Sequence, residues 1–138
     1  MASLIYNSCL DDVERNNINF ASDTFKVMLV TSAYTADKDA HTKRSDITNE
    51  VSGTGYTAGG AAATVTVTKD LANDRIDTSL GGISLSSATV TARGAVYYKA
   101  RGGASSADNL VAYIDFGSDI TSTNGTWALT ASTLRIQN

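Results

Sequence analysis

The 138-residue sequence has no proline, one cysteine (Cys9), one histidine (His41), one tryptophan (Trp127) and only two glutamates. Each scarcity excludes something. A single cysteine forbids an intramolecular disulfide, and Cys9 reads as a buried free thiol rather than a cross-link between subunits. One histidine and one cysteine, separated by 31 positions of unrelated pattern, do not supply the cluster of soft ligands a zinc site needs. Scarce glutamate removes a strong helix former. No apolar run approaches the ~18 residues that cross a bilayer as a helix, and Asn7, Ser8 and Asp11 interrupt the first apolar stretch, which therefore does not read as a signal peptide. No membrane association is expected.

The charge balance is mild, with 14 acidic against 11 basic residues and a net charge of -3. The basic residues are scattered, so no track exists to neutralise a phosphate backbone, and a nucleic-acid partner is not expected. What the chain does have is 18 threonines and 15 serines, many of the threonines alternating with apolar residues. Threonine is β-branched and suits a pleated surface.

One amphipathic helix is expected near the start, within residues 1–16. Leu4, Ile5, Cys9, Leu10 and Val13 fall on one stripe, with Asp11, Asp12 and Glu14 opposite. Asn16 and Asn17 read as its exit, because asparagine tolerates the left-handed conformation. Residues 24–31 form a strong strand whose centre, Val27-Met28-Leu29-Val30, is apolar without alternation and so expects cover on both faces. Residues 32–60 follow with little periodicity and with Gly53, Gly55, Gly59 and Gly60 near their end. A connection that long is uncommon inside a compact domain, and it is expected to be an extended arm or contact loop.

From Ala61 onward strands dominate. Residues 61–68 alternate, placing Ala63, Val65 and Val67 on one face. Residues 75–80 pair back, 88–99 form a long strand region in which Gly94 marks a bulge, and Leu110, Ala112, Ile114 and Phe116 share one face of the next strand. Turns are expected at 86–87 and 117–125, and the last strands at 126–129 and 134–137. The fold class is mainly β. A single domain spanning residues 1–138 is expected: a β-sandwich or jelly-roll-like barrel of about eight short strands, with one short N-terminal helix and a long loop arm.

No residue pattern marks a catalytic, cofactor-binding or metal-ligating site. His41 lies in a charged connection, and no serine sits in a nucleophile elbow. Asp37 and Asp39 lack the glycine and glutamate that complete a calcium loop. Pairs such as Asp74 and Asp77, or Asp115 and Asp119, are expected by chance among 12 aspartates. Gly53, Gly55, Gly59 and Gly60 lead into a strand rather than a helix, which removes the helix N-terminus of a phosphate loop. Tyr97, Tyr98 and Tyr113, with Arg93, Lys99 and Arg101 close by, and Trp127, suit packing better than a stacking platform, since consecutive tyrosines point to opposite faces. The chain is expected not to be an enzyme.

The opening LIYNSCLDDVERNNINFASDTFKVMLVTSAY, then KRSDITNEVSGTGYTAGG, RGAVYYKARGG, LVAYIDFG and NGTWALTASTLRIQN, resemble a family of small virion proteins of tailed bacteriophages. The resemblance extends over essentially the whole chain. It implies a capsid cement or decoration protein on the outer surface of the phage head, made in the host bacterial cytoplasm. Its partner would be the major capsid protein, and it would act as a homo-oligomer, a dimer or trimer, with no cofactor. Residues 2–15 and 32–60 would be the contact elements. A tail, head-completion or fibre-attachment protein remains an alternative, as does a carbohydrate-binding module built on the tyrosines and Trp127.

Overall fold

In the computed structural model, which describes residues 2–138, eight strands form two antiparallel sheets in a sandwich-like arrangement. The strands are β1 (Leu4–Ile5), β2 (Phe25–Val30), β3 (Ala61–Ala63), β4 (Val65–Asp70), β5 (Arg75–Leu80), β6 (Ile83–Lys99), β7 (Leu110–Leu129) and β8 (Ser132–Gln137), with one helix, α1 (Asn7–Glu14). The larger sheet has the order β1-β7-β6-β2-β3, and the smaller β4-β5-β8. The mainly β architecture with one short N-terminal helix is the expected one.

The apolar run in β2 explains the layering. Val27, Met28, Leu29 and Val30 are all at most 2% exposed, and alternate residues enter two separate cores. Val27 and Leu29 join Phe25, Ala95, Tyr97 and Val111 in a first core, which α1 and the smaller sheet cover. Met28 and Val30 join Tyr6, Val96, Tyr98, Leu110 and Tyr113 in a second. Neighbours on β6 divide in the same way, so Tyr97 faces one core and Tyr98 the other.

The cover over the second core corrects one expectation. Residues 32–60 do not extend away from the domain. They lie against it, with Tyr34 buried and Ile47 packed on the second core. The segment is hydrogen-bonded to the body all along its length. Val51 N–H donates to Leu29 O at 2.9 Å, Thr89 N–H to Thr54 O at 2.9 Å, and Arg44 N–H to Asp108 O at 2.9 Å. Where β3 ends its pairing at Val27, residues 49–51 take over the free edge of β2. The sequence lacks periodicity here because the segment meets the body through single, irregularly spaced contacts.

The start of the chain also differs from the expected single helix. Leu4 and Ile5 pair with Tyr113 and Ala112 as a short edge strand, and the helix begins only at Asn7. Within it Cys9 is buried, but Leu10 is 57% exposed while Asp12 is 8% exposed. Asp12 turns inward because Asn109 Nδ2 donates to its carboxylate at 2.9 Å in a buried position, which satisfies the charge as burial requires. Asn16 ends the helix at φ 61°, the left-handed exit expected of it.

The two longest strands absorb what read as turns. β6 and β7 pair from one end of the molecule to the other, with shifts in register between Leu85 and Ala88 and again between Ala92 and Gly94. Ser87 and Asn124, at φ 48° each, and Gly117, at φ 79°, lie inside strands. Turn-forming residues supply the same positive φ that a bulge needs, so the local signal is identical and the distant strand decides between them. A further shift between Tyr97 and Tyr98 leaves Val111 as an extra residue. Leu110 therefore enters the second core and not the face it was expected to share with Ala112.

Three chain crossings between the sheets meet at one corner: Thr64, Gly81-Gly82 and Thr130-Ala131. Gly81 N–H donates to Thr64 O at 2.8 Å, and Tyr97 Oη donates to Gly81 O at 2.8 Å. A Cβ on Gly82 would stand 1.8 Å from Leu129 O, so only glycine fits. Gly94 sits at a register shift, as expected of a bulge, but for a steric reason. A Cβ there would lie 2.4 Å from the Tyr113 ring and 2.8 Å from Ile114 O. Gly94→Val is expected to lower stability by about 3 kcal/mol through overpacking, read as a reduced denaturant midpoint; an unchanged midpoint would refute the close approach.

Candidate interaction surface

The residues that sequence reasoning weighed for chemistry are used by the fold. His41 is half-buried. Its Nδ1 lies 2.9 Å from Tyr34 Oη and accepts the Asp37 N–H at 3.2 Å. Tyr34 Oη is also 2.8 Å from Tyr6 Oη. The imidazole thus closes the turn at 37–41 over the second core. Asp37 accepts the N–H groups of Asp39 and Ala40, which hold its carboxyl below the usual range. Asp39 bonds instead to Asn7 on α1, so the two carboxylates serve different partners.

Asp77 is bridged to Arg75 and Arg135, while Asp74 is a turn residue at φ 51°. Asp115 and Asp119 do come near each other, through Arg93 at 3.4 and 4.0 Å. Among the described residues no group of three or more His, Cys, Asp or Glu is arranged to hold a metal ion, and no helix is long and apolar enough to cross a membrane.

The glycines of residues 53–60 make turns, and Glu50 organises them. Its Oε1 accepts from Tyr56 Oη at 2.7 Å and from Gly59 N–H at 2.6 Å. The aromatic rings considered for stacking do not form a strip. Tyr97, Tyr98, Tyr113 and Trp127 are each at most 2% exposed and are split between the two cores. Burial raises the Tyr97 hydroxyl to about 12, and Trp127 Nε1 donates to Ile120 O at 3.1 Å.

A polar chain, buried at Asp12, Asp108 and Asn109 and reaching the surface at Arg101, ties the loops together at one end of the larger sheet, and no sequence pattern signalled it. Asp12 on α1 meets Asn109, whose Oδ1 accepts from Arg101 Nε at 3.1 Å. The adjacent Asp108 accepts from Arg101 N–H at 2.9 Å and from Arg44 Nε at 2.7 Å. The Arg44 guanidinium also lies over the Tyr98 ring, 5.2 Å from its centroid. Nearby, Lys99 Nζ bonds Asp23 at 2.8 Å and Asn17 O at 2.7 Å. The Asp108 side chain is 3% exposed and that of Arg44 23%, so the pair lies deep enough to count.

The open feature of the surface is apolar. An apolar cleft of about 560 Å³ runs between α1 with the following loop and the inner face of the smaller sheet, lined by Leu10, Val13, Phe20, Val67, Ile76 and Ile136 among others. It exists because the smaller sheet overhangs the core. Leu80 at one end is buried, whereas Ile136 at the other is 73% exposed and Val67 41%. Cys9 lies at the base of the cleft, 1% exposed, with burial pushing its thiol up to about 12. Comparisons with protein-family models, curated proteins and solved structures give no match to this chain.

Asp108→Ala removes the acceptor of Arg44 and Arg101 and is expected to cost about 2–3 kcal/mol, the range for a hydrogen-bonded charge; a thermal midpoint equal to wild type would refute the polar chain's role. Cys9 is expected to resist an aromatic disulfide reagent in the native state at pH 7 and to react fully in denaturant, since the thiolate is the nucleophile. Rapid native labelling would contradict its burial.

Proposed function

We propose that this chain is a structural protein of a tailed-phage virion, binding the outer surface of the head and stabilising joins between major capsid subunits. The observation that carries the reading is the ordered set of segments, from LIYNSCLDDVERNNINFASDTFKVMLVTSAY to NGTWALTASTLRIQN, that resembles small virion proteins of these phages.

The form of the molecule supports it. Strands β6 and β7, of 17 and 20 residues, make a stiff spine, and the connections at both ends are pinned by hydrogen bonds rather than left free. A rigid body loses little conformational freedom when it docks, so more of its contact energy appears as affinity. The proposed mechanism is mechanical: a protein bound across a subunit join adds binding free energy that must be overcome before the shell opens. A contact of standard size buries about 1,600 Å², and repetition over a symmetric shell adds avidity. The outward residues of the 32–60 segment, including Asp37, Lys38 and Thr48, and those of the N-terminal segment are the proposed contact surface.

Purified protein added to empty capsids that lack it should give new density across subunit joins in electron cryomicroscopy. It should also raise the temperature at which the shells open. An undecorated shell at saturating protein, or density confined to the neck or tail, would overturn the cement role.

A further inference from the structure

We propose that β8 is the edge at which a second copy of this chain adds, antiparallel across a two-fold axis, joining two three-stranded sheets into one of six strands. The inference rests on the edges of the sheets and not on the virion reading.

A sheet edge exposes unpaired N–H and C=O groups, and proteins that stay single guard such edges by shortness, proline, bulges or inward-pointing charge. Among the described residues the two sheets end in four strands, and no strand pairs with the outer side of β6 before Gly94 or of β7 beyond Tyr113. Those two stretches are bent by register shifts between Leu85 and Gly94 and by positive φ at Ser87, Gly117 and Asn124, which are the bulges that guard an edge. β1 and β3, at two and three residues, are too short to template a partner. β4 has six residues, but Lys69 stands in register with Ile76, on the same inner face as Val65 and Val67. That is an inward charge. β8 has none of these guards. Its six residues pair with β5 without a break in register, and the sequence contains no proline. Its one charge, Arg135, lies on the outer face and is held by Asp77 at 2.7 Å.

The side chains of β8 also fit their own copy. Leu134 and Ile136 occupy the inner face, in register with Thr78 and Ile76. In antiparallel self-pairing centred on Leu134, that residue meets its twin, Ile136 meets Ser132 and Arg135 meets Thr133. No like charges oppose each other, which is the condition for cross-strand pairs to stabilise a sheet. The same arrangement covers Ile136, 73% exposed in the single chain, and extends the wall of the apolar cleft that Ile136 lines opposite Leu10. Isologous pairing of this kind closes at two copies.

Light scattering after size exclusion, or sedimentation equilibrium, tests this on the full chain. Wild type is expected to have the mass of two 14.4 kDa chains. Ile136→Lys places an inward charge on the edge at an exposed position and is expected to give a folded monomer, with an unchanged far-ultraviolet spectrum. Ile120→Lys, on the larger sheet and 41% exposed, is expected to remain a dimer. Wild type running as a monomer or trimer, or an Ile136→Lys protein that stays dimeric, would overturn the proposal.

Discussion

Strand β2 is buried on both faces, and the covers on its two sides set the layers of the fold. A strand in a two-layer sandwich needs one apolar face, and its other face meets water. Val27 to Val30 offer no such face. The chain answers with two covers: α1 and the smaller sheet over one side, and the irregular 32–60 segment over the other. Burying each large side chain is worth about 1.5–3 kcal/mol, so leaving Met28, Val30, Val96 and Tyr98 uncovered would cost a large share of a domain's usual 5–15 kcal/mol. The long connection is thus a layer of the fold, held by backbone hydrogen bonds and by Arg44 on Asp108, and only its outward residues are available for partners.

Two local devices make that layering consistent. At the corner where the chain crosses between sheets, glycines allow three backbone segments to touch, and Tyr97 caps the corner from within the first core. At the end of the larger sheet, the polar chain from Asp12 to Arg44 fixes the helix, the 100–109 loop and the 32–60 segment to one another. Buried polar groups are retained only when they are satisfied, and here each loop supplies what another lacks. The surface left over is uneven. It is polar and threonine-rich over most of the sandwich and apolar in the cleft beside β8, where the smaller sheet overhangs its core.

Much of this organisation was legible in the sequence, where the signal is periodic and local. The unbroken run in β2 states its burial directly, and the alternation from Ala63 to Val67 states which residues face inward, although the chain changes sheets at Thr64 and Val67 is left 41% exposed at the cleft. Gly94 announced a bulge, and Asn16 a helix exit. What was not legible depends on distant partners. Ser87 and Asn124 carry turn chemistry, and only pairing between β6 and β7 makes them strand bends. Asp12 looks like a solvent-facing residue until Asn109 arrives from 97 positions away, and Leu10 looks like core until the overhang leaves it at a cleft mouth. The 32–60 segment read as an arm because contacts made singly, by Tyr34, Glu50 or Val51, leave no period to detect.

Hydrogen exchange in the native state distinguishes a layer of the fold from a detachable arm. If residues 32–60 are a layer of the fold, the amides of Arg44, Val51 and Gly59, each donating to the body or to Glu50, will exchange only through global unfolding, together with the centre of β6. If those amides exchange by low-energy local opening while β2 and β6 stay protected, the segment is a detachable arm and the two-cover account of β2 is wrong.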